Sequence, residues 1–275
     1  MPEDYNLLFI FTDEQAARTM QIYGNKEINT PNMNRLARES LVFKQAYVSQ
    51  PVCTPSRSTL LTGLYPHTNG CVENNISLTY DRLCFPELGD FSNYQTGYFG
   101  KWHLGDEIFA QHGFEQWRSI EDGYRRYYSD KRDKFVHSTY YHFLKENGFE
   151  PDQEKSDGFK SFSRMFCTDL QEKYTKPAYL AAETNRFLEE NKDNSFILFV
   201  NFLEPHSPYF SPRDNQYDPS KIKLPDNFYH EFGNNTPLRV RLMQEIFGQS
   251  EQEWREEVGR YWGLVSLVDN YLGKI

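Results

Sequence analysis

Phe196-Ile197-Leu198-Phe199-Val200-Asn201-Phe202 is the stretch of this chain that decides its fold. All of it except Asn201 is apolar and nothing alternates, so it reads as a strand buried on both faces. Just before it, Pro177 to Asn191 sets Leu180, Thr184, Phe187 and Leu188 on one face at helical spacing. A helix running into a doubly buried strand points to a parallel or mixed sheet wrapped by helices. Leu7-Leu8-Phe9-Ile10-Phe11 is a second run of the same kind, ending at Thr12-Asp13-Glu14, and Thr96 to Lys101 reads as a third short strand. The expected fold is therefore α/β, with a mixed, mostly parallel sheet sandwiched between helices. Such sheets bind ligands beyond the carboxyl ends of their strands, where Asp13, Glu14 and Lys101 fall.

Outward from these strands, Thr30-Pro31 offers an N-cap with proline at the first helical position, followed by an apolar stripe of Met33, Leu36 and Ala37. Ser250 and Glu253 form a capping box, and Trp254, Val258, Tyr261, Trp262, Val265, Val268 and Leu272 then recur at helical spacing, as a core face does. Asp106 to Lys176 has no clear period and reads as an insertion of loops and short helices, the kind of segment that shapes substrate choice.

The 275 residues can bury a full core, and 22 Phe with 19 Tyr give that core an aromatic character despite a mean hydropathy of −0.76. The net charge of −9 argues against nucleic acid or an anionic membrane as partner, so an anionic substrate would have to meet local positive charge. Cys53, Cys71, Cys84 and Cys167 contain no Cys-x-x-Cys pair, which disfavours a disulfide scaffold or a structural zinc site and leaves a Cys71–Cys84 bridge open. The amino terminus lacks a basic stretch, a long apolar segment and a small-residue cleavage site, so no secretory signal is read and the cytoplasm is the expected location.

Cys53-Thr54-Pro55-Ser56-Arg57 opens what reads as a helix, with Pro55 in its first turn. A side chain at that end faces unpaired N–H groups that favour an anion. Taken by itself, Cys53 reads first as an ordinary buried cysteine ahead of a helix. The run from Cys53 through Arg57 to Thr62-Gly63 resembles the signature of the type I sulfatases: Cys, any residue, Pro, Ser, Arg, then Thr-Gly. Gly100-Lys101-Trp102-His103-Leu104-Gly105 is similar to a second block of that family, and Pro205-His206-Ser207-Pro208 to a third.

The resemblance implies an alkaline phosphatase-like fold and a sulfuric ester hydrolase acting on a small sulfated carbohydrate or aryl sulfate. It also implies that a formylglycine-generating maturation enzyme oxidises Cys53 to formylglycine, whose hydrate is the nucleophile. One hydroxyl of the diol attacks sulfur and displaces the alcohol; loss of the second hydroxyl's proton then expels sulfate and regenerates the aldehyde. Arg57 and Lys101 would hold negative charge, His103 would take the proton that drives elimination, and His206 would help protonate the leaving group. Asp13, Glu14 and the residue at 53 would hold a hard cation, calcium or alternatively magnesium. The family usually carries two aspartates where this chain has Asp13-Glu14, so Glu14 is a departure.

The same resemblance implies further metal ligands from a later strand, an Asp followed by Asn or His, and a further lysine. Asp269-Asn270 has matching letters but lies in the terminal helical pattern, so residues 1–275 read as an amino-terminal catalytic domain that is incomplete. Two alternatives stay open: phosphonate or phosphate ester cleavage by the same nucleophile, and a shortened, catalytically defective anion-binding relative. His67 is assigned no catalytic role, and His112, His137, His142 and His230 read as surface or packing residues without identifiable partners.

Overall fold

The computed structural model describes residues 5–151, 170–230, 232–233, 235–246 and 248–275. Four strands, β1 (Leu7–Thr12), β2 (Gln95–Gly100), β3 (Gln116–Arg118) and β4 (Phe196–Phe202), form one sheet in the order β1-β4-β2-β3. Every pairing is parallel, with Leu7 opposite Ile197 and Gln95 opposite Phe196 at the start of each ladder. Parallel order requires a crossover between neighbours. α1 (Pro31–Arg38), α2 (Cys53–Thr62) and α3 (Pro66–Asn69) lie between β1 and β2; α4 (Thr139–Glu146) and α5 (Lys176–Glu190) lie between β3 and β4; α6 (Leu238–Ile246) and α7 (Glu251–Leu272) follow β4.

β4 is central and all seven of its residues are buried, as its unbroken apolar run requires. Leu198, Val200 and Phe202 face Phe99, Leu180, Phe187 and Val268 in one cluster; Ile197 and Phe199 face Leu61, Tyr98, Trp102, Phe114 and Trp117 in another. Burying a side chain of this size stabilises the fold by about 1.5–3 kcal/mol, so the sheet is held from both faces. Gly100 closes β2 at φ 113°, and a Cβ there would collide with the carbonyl of Asn201. That close approach demands glycine and sets the direction in which Lys101 leaves the sheet.

Several expectations are revised. The 106–176 segment supplies β3, a strand of three residues of which only Trp117 is buried, too short for its pattern to register; residues 152–169 of that segment, Cys167 among them, lie outside the described residues. Cys71 and Cys84 are buried and free, not bridged. In α1, Leu36 is 57% exposed, so the expected apolar stripe is only partly covered.

Thr30 makes no capping bond to α1. The Asp269 carboxylate of α7 accepts from the N–H groups of Asn32 (3.1 Å) and Met33 (2.7 Å) instead, and Asn270 reaches Glu172 (3.0 Å). Asp269→Ala is expected to lower stability by about 1–2 kcal/mol, the magnitude of a lost N-cap, read as a shifted urea midpoint at unchanged m-value.

Candidate active site

β1, β2 and β4 end side by side, and the polar residues that follow them converge on the start of α2. Cys53 is the first residue of that helix, as its sequence suggests, with Val52 extended before it and no side chain capping it. Asn74 instead receives the Thr54 N–H (3.0 Å), while the Thr54 hydroxyl donates to the carbonyl of His103 (2.8 Å). These two bonds fix the helix start against the segment that follows β2.

Asp13 is the hub. Its carboxylate lies 2.6 Å from Lys101 Nζ, 3.2 Å from the Arg57 guanidinium and 3.8 Å from Cys53 Sγ, and Lys101 Nζ is also 3.8 Å from that sulfur. Lys101 is fully buried and Arg57 is 4% exposed. Burial alone would raise the Asp13 pKa, but the two cations outweigh it and hold the carboxyl below the usual carboxylate range. Arg57 also donates to the carbonyl of Lys101 (2.8 Å) and lies over the Phe11 ring at 5.4 Å. Burial pushes the Cys53 thiol up, against the pull of Lys101, so an unmodified cysteine here is a protonated thiol at neutral pH.

His103 and His206 join Cys53 in lining one cleft of about 300 Å³. His103 takes the left-handed conformation (φ 57°), with Nε2 3.0 Å from the Asn75 side-chain oxygen and its ring 4.3 Å from that of Tyr124. The Glu107 carboxylate accepts from the N–H groups of Trp102 (2.8 Å) and His103 (2.6 Å), pinning this segment from behind. His206 lies between two cis X-Pro bonds, Glu204–Pro205 and Ser207–Pro208, and its Nε2 is 3.1 Å from Glu14.

All seven residues singled out by sequence therefore gather at this end of the sheet. The grouping of metal donors differs from the expected one. Asp13, Cys53 and His206 present donor atoms within 4.8 Å of one another, whereas Glu14, at φ 63°, is turned toward His206. Asp13 and Glu14 are the right oxygen chemistry for a hard cation, and the residue at 53 sits between the Asp13 carboxylate and the cleft. Together they fit part of the about six to eight oxygens that calcium takes.

Sequence reading missed Asn74, Asn75, Glu107 and Tyr124. The Asn74-Asn75 pair carried a usable signal, since asparagine tolerates the left-handed turn that Asn75 adopts (φ 69°). Of the other histidines, His112 has a partner after all, with Nδ1 3.3 Å from Glu87, and His137 stacks on Tyr141 at 3.8 Å. His67 is exposed and stacked on Tyr65.

Burial, then repulsion from Glu121, pushes Glu107 from 4.5 up to about 7. Its folded pKa exceeds its unfolded one, so the folded state keeps the proton longer. Its contribution to stability is therefore greatest below about 4.5, falls as pH rises to about 7 by up to about 3 kcal/mol, and is level beyond. Urea unfolding across that window should show this slope, and Glu107→Gln should flatten it.

A family model, Sulfatase, matches residues 5–275. An ulvan-active sulfatase from Formosa agariphila is 26% identical over 281 residues, covering 99% of this chain and 46% of the relative. An N-acetylglucosamine-6-O-sulfatase from Bacteroides thetaiotaomicron is 38% identical over 112 residues, 41% of this chain and 20% of that one. Among solved structures, a phosphonate monoester hydrolase from Silicibacter pomeroyi superposes with a TM-score of 0.70 at 18% identity, covering 98% of this chain and 57% of that one. The chain thus spans about half the length of the relatives it matches from end to end.

Proposed function

This chain belongs to the sulfatase family, and from that premise we propose that it is the nucleophile-bearing part of a sulfuric ester hydrolase whose residue 53 works as formylglycine. The observation that carries the reading is the position of Cys53 at the start of α2, within 4 Å of both the Asp13 carboxylate and Lys101 Nζ. A thiol held protonated by burial is a poor nucleophile in its own right. A calcium or magnesium ion held by Asp13, Glu14 and residue 53 would make a hydroxyl of the hydrated carbonyl more acidic.

The chain's own residues supply the rest. Arg57 and Lys101, both buried, offset the charge of the bound sulfate and of the diol. His206, which lines the same cleft as Cys53, donates a proton to the departing alcohol oxygen, while Glu14 orients its ring. After the sulfur–oxygen bond of the substrate has broken, sulfate is attached to residue 53 through one oxygen. His103 takes the proton of the remaining hydroxyl, the carbon–oxygen bond to sulfate breaks, and the aldehyde returns.

The relatives' printed names, an ulvan-active and an N-acetylglucosamine-6-O-sulfatase, favour a sulfated carbohydrate as the substrate class. Peptide mass analysis of the Cys53 segment, from protein matured in its native host, tests the premise: sulfur should be replaced by a carbonyl oxygen. Matched aryl sulfate and aryl phosphonate monoesters then test the reaction. Faster cleavage of the phosphonate would move the assignment to the chemistry of the Silicibacter pomeroyi neighbour.

A further inference from the structure

The cleft that holds Cys53, His103 and His206 continues outward past Asn74 to Tyr124, Arg126 and Tyr127, all from the 106–176 segment. Of Arg125, Arg126 and Arg132 in that segment, two are already ion-paired. Arg125 lies 3.7 Å from Asp122 and 2.6 Å from His137, and Arg132 lies 3.3 Å from Asp106. Arg126 has no carboxylate within ion-pair distance among the described residues; its guanidinium rests 4.7 Å over the Tyr127 ring and is exposed. An aromatic face under a guanidinium preorganises its planar fork for a two-pronged contact with an oxyanion.

We propose that Arg126, backed by Tyr127, is a subsite for a second anionic group on the sugar that leaves the sulfate, a carboxylate or another sulfate. The inference rests on the hydrolase reading above and narrows it from sulfated carbohydrates to polyanionic ones. Tyr124, packed on His103, offers an apolar wall beside the reacting end, and a cleft of about 300 Å³ accommodates a single sugar ring. The acid that lines this cleft, Glu14, is engaged by His206, whose Nε2 lies 3.1 Å from it. In a chain with net charge −9 a polyanion needs local cations, and Arg126 is one that no carboxylate in the described residues neutralises.

The test measures binding, so that it does not depend on turnover. The full chain is titrated calorimetrically with disulfated glucosamine, sulfated glucuronic acid and monosulfated N-acetylglucosamine. At least one of the two dianionic sugars should bind about 10-fold more tightly than the monoanion, the scale of a charge-assisted contact. Arg126→Ala should erase that difference and leave the monosulfated sugar unchanged, and Arg126→Lys should keep part of it. Which dianion is preferred identifies the second group. Equal binding of all three sugars, or a preference that survives in Arg126→Ala, overturns the subsite. An Arg126-dependent preference without any ester cleavage sustains the subsite and counts against the hydrolase; cleavage with no such preference does the reverse.

Discussion

Replacing Cys53 with serine should reduce multiple-turnover hydrolysis of a sulfate ester by about 10⁴-fold or more, the loss seen when a covalent nucleophile is removed, without unfolding the protein. Serine suits the first position of α2, and the side chain at 53 is only half-buried, so the helix start and the Asp13 network should persist. The chemical consequence is specific. A serine hydroxyl beside Lys101 can still attack sulfur, but it carries no second hydroxyl, so sulfate cannot be expelled with return of a carbonyl. At most a stoichiometric release of alcohol is expected, leaving a sulfated serine that mass analysis detects. Cys53→Ala should show neither release nor adduct, with both variants melting within a few degrees of the parent. Steady turnover by the serine variant would remove any need for the diol.

Cys53 could be located from sequence because its neighbourhood is local: a proline in the first turn, an arginine four residues on, and a Thr-Gly stop. The buried strand Phe196–Phe202 and the Ser250–Glu253 capping box were legible for the same reason, each determined by residues adjacent in the chain. What escaped reading depends on contacts between distant segments. The cap on α1 is made by Asp269, 237 residues from Asn32, and nothing near Thr30 signals that its own hydroxyl goes unused. Glu107 acts on main-chain N–H groups, which carry no residue-type signal. β3 became a strand because β2 offered it an edge and Trp117 a place in the aromatic cluster, not because Gln116-Trp117-Arg118 has a period. The residues that gather at the site were therefore more legible than the scaffold that holds them in place.

That scaffold makes Asp13 the residue with the largest expected effect on stability. Its carboxylate is the negative partner of two buried cations, Lys101 at 2.6 Å and Arg57 at 3.2 Å, and no other carboxylate is recorded within ion-pair distance of either among the described residues. Asp13→Asn preserves shape and removes the charge, leaving Lys101 fully buried without a counter-ion. Breaking a buried pair in this way costs about 3–5 kcal/mol, enough to move the unfolding midpoint well beyond the effect of a lost helix cap. Lys101→Met removes the stranded ammonium while keeping most of its apolar volume. Combined with Asp13→Asn, it should recover a large part of the lost stability, giving a coupling energy of about 2 kcal/mol or more in a double-mutant cycle. Activity should not follow: the double variant lacks both the carboxylate beside residue 53 and the cation facing it, and should be as inactive as either single variant. Stability returning without turnover is the signature of a pair that is neutralised for the fold and charged for the reaction. Additive stability losses would mean that Arg57 alone compensates Asp13.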